Sequence, residues 1–380
     1  MAVIALTKKQ VAELVNQATR EHLGEDVLLV EDLTNVVDIG VTLANANAYK
    51  NFLANLLVEI GKKIFVERPY AGFAPKVYRD SFEYGQVIEK IRASLDDAMD
   101  NQSWELVDGG SYDPNVYINN EVQAKLFMKE VTFEVRKSIT DKQLKNAFKS
   151  ANELGSFVSM LFNYVEHSLT VKMDSLIMMT IANFTAEVAH ANNTVTYVNL
   201  LSNYNKLKTL ELTVDQCLTD RGFLQYATGI IKKYQSKMTS YSTLFNQTKT
   251  KTFTPLNLQH LVLLDEFSMN CDTYLASDTW HNEFVKLPYH ETVPYWQGQG
   301  NDSTFANTSK INIKTSNNNT VEVTGILAVL FDHDALGVSQ YRETVKTHYN
   351  EPAEFTNYWF KRETAYFNDL DENFVVFYVK

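Results

Sequence analysis

The sequence ELGSFVSMLFNYVEHSLTVKMDSLIMMTIANFTAEV, residues 153–188, decides the fold of this chain. Its apolar residues recur every three or four positions, it contains no proline, and its one glycine, Gly155, lies near the start. This spacing is that of one face of an α-helix. At about 1.5 Å per residue an unbroken helix would be about 54 Å long, which few compact domains need. The polar residues around Ser168 and Thr170 leave a second interpretation open, in which two helices of about five turns meet there.

The segment between Arg79 and Ile139, immediately before the helical pattern, predicts a long two-stranded projection. Apolar and polar residues alternate at 131–135 and at 82–88, as they do in a ribbon with one buried face. The residues between these two arms are mostly polar and include the pair Gly109 and Gly110. Because an isolated two-stranded ribbon is marginally stable at best in water, we expect a neighbouring molecule to hold it.

Two helices are predicted ahead of the ribbon. Thr7 and Gln10 form a capping box, which opens a short helical arm. Apolar residues at helical spacing predict a second helix at 49–60, and Gly61 is placed to end it in the left-handed conformation. A short strand is expected at 64–66.

After the long helical pattern the sequence predicts a second α/β section. The Asn-rich segment 298–319 is expected to be an exposed loop, and 341–366, rich in Tyr, Thr and Trp, is typical of antiparallel strands. The other predicted elements are strands at 195–200, 260–264, 324–331 and 374–379 and helices at 221–245 and 269–285.

The composition excludes several classes of protein. With 35 Lys plus Arg against 46 Asp plus Glu, the net charge is −11, so nucleic acid is not the expected primary ligand. At 45% hydrophobic residues the chain can build a real core, and its length predicts two or three lobes. A membrane span needs about eighteen or more consecutive apolar residues, and the sequence contains no such stretch. The start, MAVIALTKKQ, lacks the basic, apolar and small-residue segments that follow one another in a signal peptide. Cys217 and Cys271 are expected to be buried free thiols, as suits a reducing cytoplasm.

Asp332, His333 and Asp334 are the strongest candidates for chemistry. They follow an apolar strand, where α/β enzymes often place functional groups. Adjacent residues of a strand point to opposite faces, so the histidine and the two acids do not share a face. A simple turn at the end of the strand is therefore the favoured interpretation, with catalysis or metal binding as the alternative.

The remaining motifs are weaker still. His281 and His290 are nine residues apart, which is not the spacing of two ligands on one helical face. Gly298 and Gly300 lack the third glycine of a dinucleotide site. Nucleotide-binding and hydrolase signatures are absent as well. We therefore predict no catalytic, cofactor-binding or metal-binding residues.

Two clusters are open to a functional and a structural interpretation. Methionines on the predicted long helix suggest a ligand groove, but Met in such a stripe more often fills a core. An acidic run in the ribbon suggests a cation site, but a solvated tip or a contact with basic residues of another copy is favoured. The methionines are Met160, Met173, Met178 and Met179, and the acidic residues are Asp96, Asp97 and Asp100.

The order of these elements resembles the major capsid proteins of tailed phages that have the Hong Kong 97-type (HK97-like) α+β fold. The closest likeness is to the phi29 group of podophages. The stretches that carry it are KNFLANLLVEIGKKIFVER (50–68), ITDKQLKNAFKSANELGSFVSMLFNYVEHSL (139–169), TGILAVLFDHDAL (324–336) and YNEPAEFTNYWFKRETAYF (349–367).

The resemblance implies a division of the chain into the parts of such a capsid subunit. These parts are an N-terminal arm (1–40), a first P-domain segment (41–78), the extended E-loop (79–139), the P domain with its spine helix (140–194), the A domain (195–325) and the returning P-domain strands (326–380). The residues expected to contact neighbouring subunits are Phe82, Tyr84, Lys125, Lys129 and Arg136. The covalent cross-link of some relatives needs an E-loop lysine, but neither Lys125 nor Lys129 can be assigned to that role.

The resemblance also implies a non-enzymatic function without cofactors. Many copies would form hexamers and pentamers of a phage head, with a portal protein and packaged double-stranded DNA. The start has no long prefix of the kind that acts as a built-in scaffold, so a separate scaffolding protein is expected. The protein would be part of the virion and would be assembled in the host cytoplasm. A negative inner surface would let DNA slide, because binding would release no counterions.

Two alternatives remain beside the capsid interpretation. The first is a different self-assembling protein of a phage or a cell envelope. The second is a cytoplasmic α/β enzyme whose site includes Asp332, His333 and Asp334.

Overall fold

The computed structural model has an α+β fold with two main sheets, a two-stranded ribbon, a hairpin and one very long helix. The residues that the structure describes are 9, 11–13, 15–17, 29–30, 33–45, 56, 74–79, 88–93, 101, 105–111, 113, 115, 122–127, 130–276, 289–296, 310–314 and 320–380. The predicted capping box at Thr7 and Gln10, the end of a helix at Gly61 and the strand at 64–66 lie outside these residues. None of the described helices is both long enough and apolar enough to cross a bilayer.

The long helix runs without interruption from Ala151 to Ala191, over 41 residues. It begins at Ser150, whose hydroxyl accepts the Glu153 N–H at 3.2 Å, and it ends at Asn192, whose φ of 48° is left-handed. The predicted helix is thus confirmed as one rod, and the polar turn at Ser168 and Thr170 does not divide it. Leu169, between these two residues, and Met173, three residues after Thr170, are buried, and this packing outweighs the lower helix propensity of Ser and Thr.

This helix crosses two hydrophobic cores. Its first half packs against the four-stranded sheet and against N-terminal residues such as Val15 and Leu29. Its second half packs against the five-stranded sheet, and it is buried on several sides. The buried positions are Leu154, Val158, Leu161, Val165 and Leu169 in the first core and Met173, Ile177, Ile181, Phe184 and Val188 in the second.

The strands of the four-stranded sheet are β1 (Tyr78–Arg79), β4 (Glu130–Thr140), β11 (Leu336–Asn350) and β12 (Phe355–Asn368). Their order in the sheet is β1-β11-β12-β4. Strands β11 and β12 form the antiparallel pair predicted at 341–366. Strand β4 runs antiparallel to β12, from Thr140 opposite Phe355 to Glu130 opposite Ala365.

The ribbon is confirmed as two-stranded, but one of its predicted arms is wrong. Its strands are β2 (Ile88–Ala93) and β3 (Val122–Phe127), with Ile88 opposite Phe127. The alternating residues 131–135, predicted as the returning arm, belong instead to β4. Val135 and Ile139 of this strand are buried in the first core with Tyr358 and Phe360 of β12, and this burial decides the pairing. The predicted outgoing arm at 82–86 lies outside the described residues.

The five-stranded sheet lies in the second core. Its strands are β5 (Tyr197–Asn199), β6 (Gln259–Leu264), β7 (Glu291–Val293), β10 (Ile326–Asp332) and β13 (Phe374–Tyr378). They follow the order β5-β13-β10-β6-β7. The central strand, β10, is buried along its whole length, as its apolar sequence predicts.

The shorter helices cap one core or the other. The helix predicted at 221–245 ends at Met238, where a Thr and Ser run follows, and the helix predicted at 269–285 begins four residues earlier than expected. The described helices besides the long one are Val36–Asn45, Asp141–Ala147, Leu200–Lys208, Val214–Cys217, Arg221–Met238 and Asp265–Ala276, with a 3₁₀ turn at Leu256–Leu258.

A hairpin replaces part of the loop predicted at 298–319. Strand β8 (Lys310–Lys314) pairs with β9 (Thr320–Thr324), and it buries Ile311 beside Val323 in the second core. The strand predicted at 324–331 is divided at Gly325, whose φ is +70°. A Cβ at this position would lie 2.2 Å from the backbone oxygen of Val379, so the chain turns here at a residue that has no side chain.

A proline in the long helix tests whether the two cores share one rod. Leu161→Pro removes a backbone hydrogen bond at a position that is 1% exposed, so we expect the free energy of unfolding to fall by about 3 kcal/mol or more. Leu161→Met keeps an apolar side chain of similar volume and is the matched control, with an expected loss below about 1.5 kcal/mol. Denaturant unfolding followed by circular dichroism measures both. Equal stability of the two variants would contradict a continuous helix.

Candidate functional site

Three carboxylates after strand β12 bind three cations of the ribbon. The acids are Asp369, Asp371 and Glu372, here named the carboxylate turn, and their side chains are 2%, 9% and 3% exposed. The cations are Lys90 and Arg92 of β2 and Lys125 of β3, here named the ribbon cations.

Each of the ribbon cations makes at least one close ion pair. Lys90 Nζ lies 2.8 Å from Asp369 Oδ2 and 2.5 Å from Glu372 Oε1. Arg92 Nη2 lies 2.8 Å from Glu372 Oε1, and Lys125 Nζ lies 2.9 Å from Asp369 Oδ1 and also contacts Asp371. Three positive charges thus meet three negative ones, and the cluster as a whole is neutral.

Strand geometry explains why these cations share one face. Lys90 and Arg92 are two residues apart on β2, and Lys125 is directly opposite Lys90 on β3. Since side chains alternate along a strand, all three point to the same side of the ribbon. Phe127, on the same side, packs against Phe367 of β12 with 5.1 Å between ring centroids, so an apolar contact accompanies the ion pairs.

Further hydrogen bonds, besides the ion pairs, hold the carboxylate turn. The Asp371 N–H donates to Asp369 Oδ1 at 3.2 Å, and the Glu372 N–H donates to the Asp369 carbonyl at 3.2 Å. The Thr252 hydroxyl donates to Glu372 Oε2 at 3.3 Å and accepts from Arg92 Nη2 at 3.1 Å. The acids are therefore oriented by their own backbone and by a neighbouring hydroxyl.

The pKa values follow from this pairing. Burial by itself raises the pKa of Asp369, but the bonds to Lys90 and Lys125 outweigh burial and hold this pKa below its ordinary value. Burial likewise lowers the pKa of Lys125, but the bonds to Asp371 and Asp369 outweigh it and raise this pKa above its ordinary value. Both groups are held in their charged forms.

The cluster at Asp332, His333 and Asp334 forms a structured turn. Asp332 is buried, its Oδ2 accepts the Thr254 hydroxyl at 2.6 Å, and its Oδ1 accepts the Asp334 N–H at 2.7 Å. Burial, the largest cause, raises the pKa of Asp332, although these two bonds oppose the rise. The favoured interpretation of a turn at the end of the strand thus agrees with the structure, in which both carboxylate oxygens of Asp332 accept hydrogen bonds.

His333 points towards a neighbouring strand. Its Nδ1 lies 3.0 Å from Nε2 of His260 in β6, and the two rings are stacked with 5.2 Å between centroids. On its other side, His260 Nδ1 lies 3.7 Å from Glu291 Oε2. Within the described part of the chain, no group of three or more His, Cys, Asp or Glu side chains has an arrangement that could hold a metal.

The other sequence candidates are dispersed. Cys217 and Cys271 are confirmed as buried free thiols, and burial raises their pKa values to about 12 and about 11, so neither is a ready nucleophile.

Met173 and Met178 fill the second core, whereas Met160 is 52% exposed. The residues Asp96, Asp97, Asp100, His281, Gly298 and Gly300 lie outside the described ones. His290 is described, and its Nε2 lies 3.3 Å from the Ser268 hydroxyl.

Of the five residues predicted to contact neighbouring copies, two are described. Lys125 lies in the ion-pair cluster within its own chain. Arg136 lies on β4, its side chain is 75% exposed, and it pairs with Glu134. Phe82, Tyr84 and Lys129 lie outside the described residues.

Sequence reasoning missed the carboxylate turn. Its signal is the run DLDEN at 369–373, in which three acids follow one strand and precede another. Such a run is ordinarily a solvated turn. The bonds that give it another role span 244 to 282 residues of sequence, and no local pattern encodes them.

Comparisons with known proteins agree on one family. A sequence model of the Phi29-like phage major capsid proteins matches residues 15–378. In the capsid structure of Staphylococcus phage Andhra, a chain of 8% identity has a TM-score of 0.51, covering 82% of this chain and 85% of that one. A chain in the structure of head fiber and inner core protein gp22 of native bacteriophage P68, also 8% identical, has a TM-score of 0.52 over 82% and 86%. The search of curated proteins found no match. At such low identity the two structures show a shared fold alone.

We expect the removal of one charge from the carboxylate turn to lower the stability of the protein in a pH-dependent way. Asp369→Asn breaks two charged hydrogen bonds, so we expect the free energy of unfolding to fall by about 1–3 kcal/mol at neutral pH. The folded pKa of Asp369 is depressed, so its contribution is present above the unfolded pKa of about 4 and disappears as the pH falls through the folded value. Wild type and variant should thus converge in acid.

Thermal unfolding of the two proteins between pH 3 and pH 8 measures this convergence. Asp108→Asn, at an exposed ribbon residue, is the matched control and should change stability by less than about 0.5 kcal/mol at every pH. A difference for Asp369→Asn that is constant with pH would contradict the ion-pair cluster.

A second substitution tests whether Asp332 is structural. An amide accepts at only one of its two terminal atoms, so Asp332→Asn cannot bind both the Thr254 hydroxyl and the Asp334 N–H as the carboxylate does. We expect a loss of about 1–3 kcal/mol in the free energy of unfolding, measured by denaturant titration. Asp215→Asn, at an exposed position, is the control. Unchanged stability for Asp332→Asn would mean that these bonds do not hold the loop.

Proposed function

We propose that copies of this chain assemble as hexamers and pentamers around packaged double-stranded DNA. The chain belongs to the Phi29-like phage major capsid protein family, and so it forms the capsid shell of a virion. The observation that carries this proposal is the family match, which spans residues 15–378 and thus both cores, both sheets and the ribbon. The fold is the HK97-type fold expected from the resemblance.

We propose the parts of the subunit as the resemblance implies them. Residues 1–40 are the N-terminal arm, 41–78 and 140–194 belong to the P domain, and 195–325 are the A domain. The E-loop is 79–139 and the returning P-domain strands are 326–380. The two cores on the long helix support a division into two lobes. Strand β4, at the end of the E-loop segment, pairs with β12 and thereby joins that segment to the P-domain sheet.

The other partners are inferred from the phi29 group and from charge. A separate scaffolding protein and a portal protein complete the head, and assembly takes place in the host cytoplasm. The net charge of −11 favours an inner surface that encloses DNA without binding particular sequences, since it offers few cations to replace phosphate counterions.

We also propose that the protein has no catalytic activity. The enzyme alternative depended on Asp332, His333 and Asp334. The two oxygens of Asp332 are occupied by loop contacts, and His333 packs on His260, so these groups have structural tasks. No observation favours a second function.

Particle formation tests the proposed function directly. The full chain, produced with a scaffolding protein of the phi29 group and alone, is examined by light scattering and electron microscopy. A capsid protein forms large closed particles of uniform size under at least one of these conditions. A chain that remains monomeric under both would contradict the proposal.

Shortening the ribbon is a more specific prediction. With residues 95–118 replaced by a short turn, the subunit should fold and remain soluble but fail to build stable shells, because assembly interfaces bury on the order of 1,000 Å² or more. Particle yield and thermal unfolding of the free subunit are measured together, with Asp108→Asn as the control in the same segment. Non-cooperative unfolding of the shortened subunit would show instead that this segment belongs to its own core.

A further inference from the structure

A shallow groove lies between the helix Asp141–Ala147 and the start of the long helix, and it is here named the junction groove. Its volume is about 440 Å³, and most of its exposed surface is apolar. The groove is thus large enough to accept side chains of a binding partner. The residues that line it include Gln143, Asn146 and Ala147 from the shorter helix and Glu153, Phe157 and Met160 from the long one.

An exposed apolar stripe extends the junction groove along the long helix. Phe157, Met160 and Tyr164 follow one another at steps of three and four residues, so they lie on one face of the helix. Met160 is 52% exposed and Tyr164 is 41% exposed, whereas Phe157 is half-buried against the first core. The other methionines of this helix pack in or against the second core, so Met160 is the one that no core explains. Methionine at a surface is an adaptable contact for apolar groups.

Four lysines border the groove and the stripe. Lys142, Lys145 and Lys149 are exposed, and each is adjacent to a residue that lines the groove or two residues away from one. Lys137 of β4 borders the far end of the stripe, where its Nζ lies 4.4 Å from the centroid of the Tyr164 ring. The apolar centre of this surface thus has cations at both of its ends.

The acids near these lysines leave the border positive. Arg136 pairs with Glu134, and Glu153 lies in the groove itself. The Asp141 carboxylate accepts the Tyr349 hydroxyl of β11 at 2.9 Å. From residue 134 to residue 153 the chain has five basic and three acidic residues, so this surface is positive in a chain whose net charge is −11.

We infer that the junction groove and the apolar stripe bind an acidic amphipathic helix of a partner protein. This inference goes beyond the proposed function and does not depend on it. Phe157 and Tyr164 are seven residues apart, about 10 Å along the helix, which is also the distance between apolar residues i and i+7 of a bound helix. The apolar side chains of such a helix enter the groove, and its acidic side chains meet the lysines at the border.

The apolar centre of this surface favours a protein over nucleic acid as the occupant. Nucleic acid is bound mainly through its phosphates, which need cations and hydrogen-bond donors along the backbone. Here Phe157 and Met160 form the centre, and a phosphate placed against them would lose its hydration without gaining a polar partner. A helix with one apolar face and one acidic face matches both parts of the surface.

Binding to three fluorescent ligands tests the chemistry of the occupant. The full chain, kept below the concentration at which shells form, is titrated into each ligand and followed by fluorescence anisotropy. The first ligand is a helical peptide of about 20 residues with Leu at i, i+3, i+4 and i+7 spacing and with Glu and Ala elsewhere. The second peptide has Ser in place of each Leu, and the third ligand is a DNA duplex of about 20 base pairs. We expect the Leu peptide to bind at least roughly tenfold more tightly than the other two.

A substitution in the stripe locates the binding site. Met160→Gln removes an exposed apolar contact, and we expect it to weaken binding of the Leu peptide by roughly tenfold. Met269→Gln, at a methionine that is 65% exposed on the helix Asp265–Ala276, is the matched control and should leave binding unchanged. Absence of Leu-peptide binding, equal binding of the Ser peptide, tighter binding of the DNA or unchanged binding by Met160→Gln would each overturn the inference.

A second pair of variants tests the cationic border. Lys142→Gln with Lys149→Gln should weaken binding of the Leu peptide by roughly fivefold at low salt and have no effect at about 1 M salt, where charges are screened. Lys172→Gln with Lys208→Gln removes two exposed lysines elsewhere and is the control. Equal loss of affinity in both pairs would mean that net charge, and not this border, attracts the peptide. Equal melting temperatures of all variants establish that they are folded.

Self-association separates a partner protein from a second copy of this chain. The wild type and Met160→Gln are compared by analytical ultracentrifugation over a range of concentrations with no other protein present. We expect the two to behave alike, because the groove receives a helix of another protein. Weaker self-association of Met160→Gln would show that the groove is a contact between copies, and the inference would then be wrong.

Discussion

The burial of one helix in two hydrophobic cores is the constraint on which the rest of this structure depends. The helix from Ala151 to Ala191 contacts strands of the four-stranded sheet, the five-stranded sheet and the hairpin β8–β9. Its first half presents a face to one core, whereas its second half is enclosed on several sides by the other. Since a helix is stiff over this length, the two lobes share one axis and their separation is set by its rise of about 1.5 Å per residue.

The ribbon has no core of its own, so other contacts must stabilise it. An isolated pair of strands is marginal in water, and here one of its faces is held by five ion pairs, made by three cations and three acids, and by one aromatic contact. Burying charges is costly, so such a cluster adds less to stability than its short distances suggest. Its larger effect is on orientation, because a reversed ribbon would leave the buried acids unpaired. A shell protein needs this property, since its projections must reach neighbours in a constant direction.

The position of Asp332 at the end of a buried strand did not by itself reveal its structural role. A run of Asp, His and Asp after a buried strand lies where α/β enzymes often place their sites. In this chain Asp332 binds the Thr254 hydroxyl and the Asp334 N–H, and the Asp332 N–H donates to the Asn373 carbonyl at 3.0 Å. Its two oxygens therefore satisfy interior groups of adjoining loops. A buried carboxylate with a raised pKa is as consistent with such a loop anchor as with catalysis.

Local sequence by itself determined the long helix and the buried strand β10 through their apolar pattern and the antiparallel pair β11 and β12 through its composition, because each depends on residues close together in sequence. The count of two cysteines in a long chain indicated the two buried thiols. The order of these elements was enough to indicate the capsid family. Only the tertiary structure decided that residues 131–135 pair with β12 and that Lys125 meets Asp369, 244 residues away. The pattern of β4 fits several partners equally, and an acidic turn resembles any solvated turn until a strand from another part of the chain is brought against it. Such choices depend on which distant surfaces exclude water together, and local sequence does not encode this.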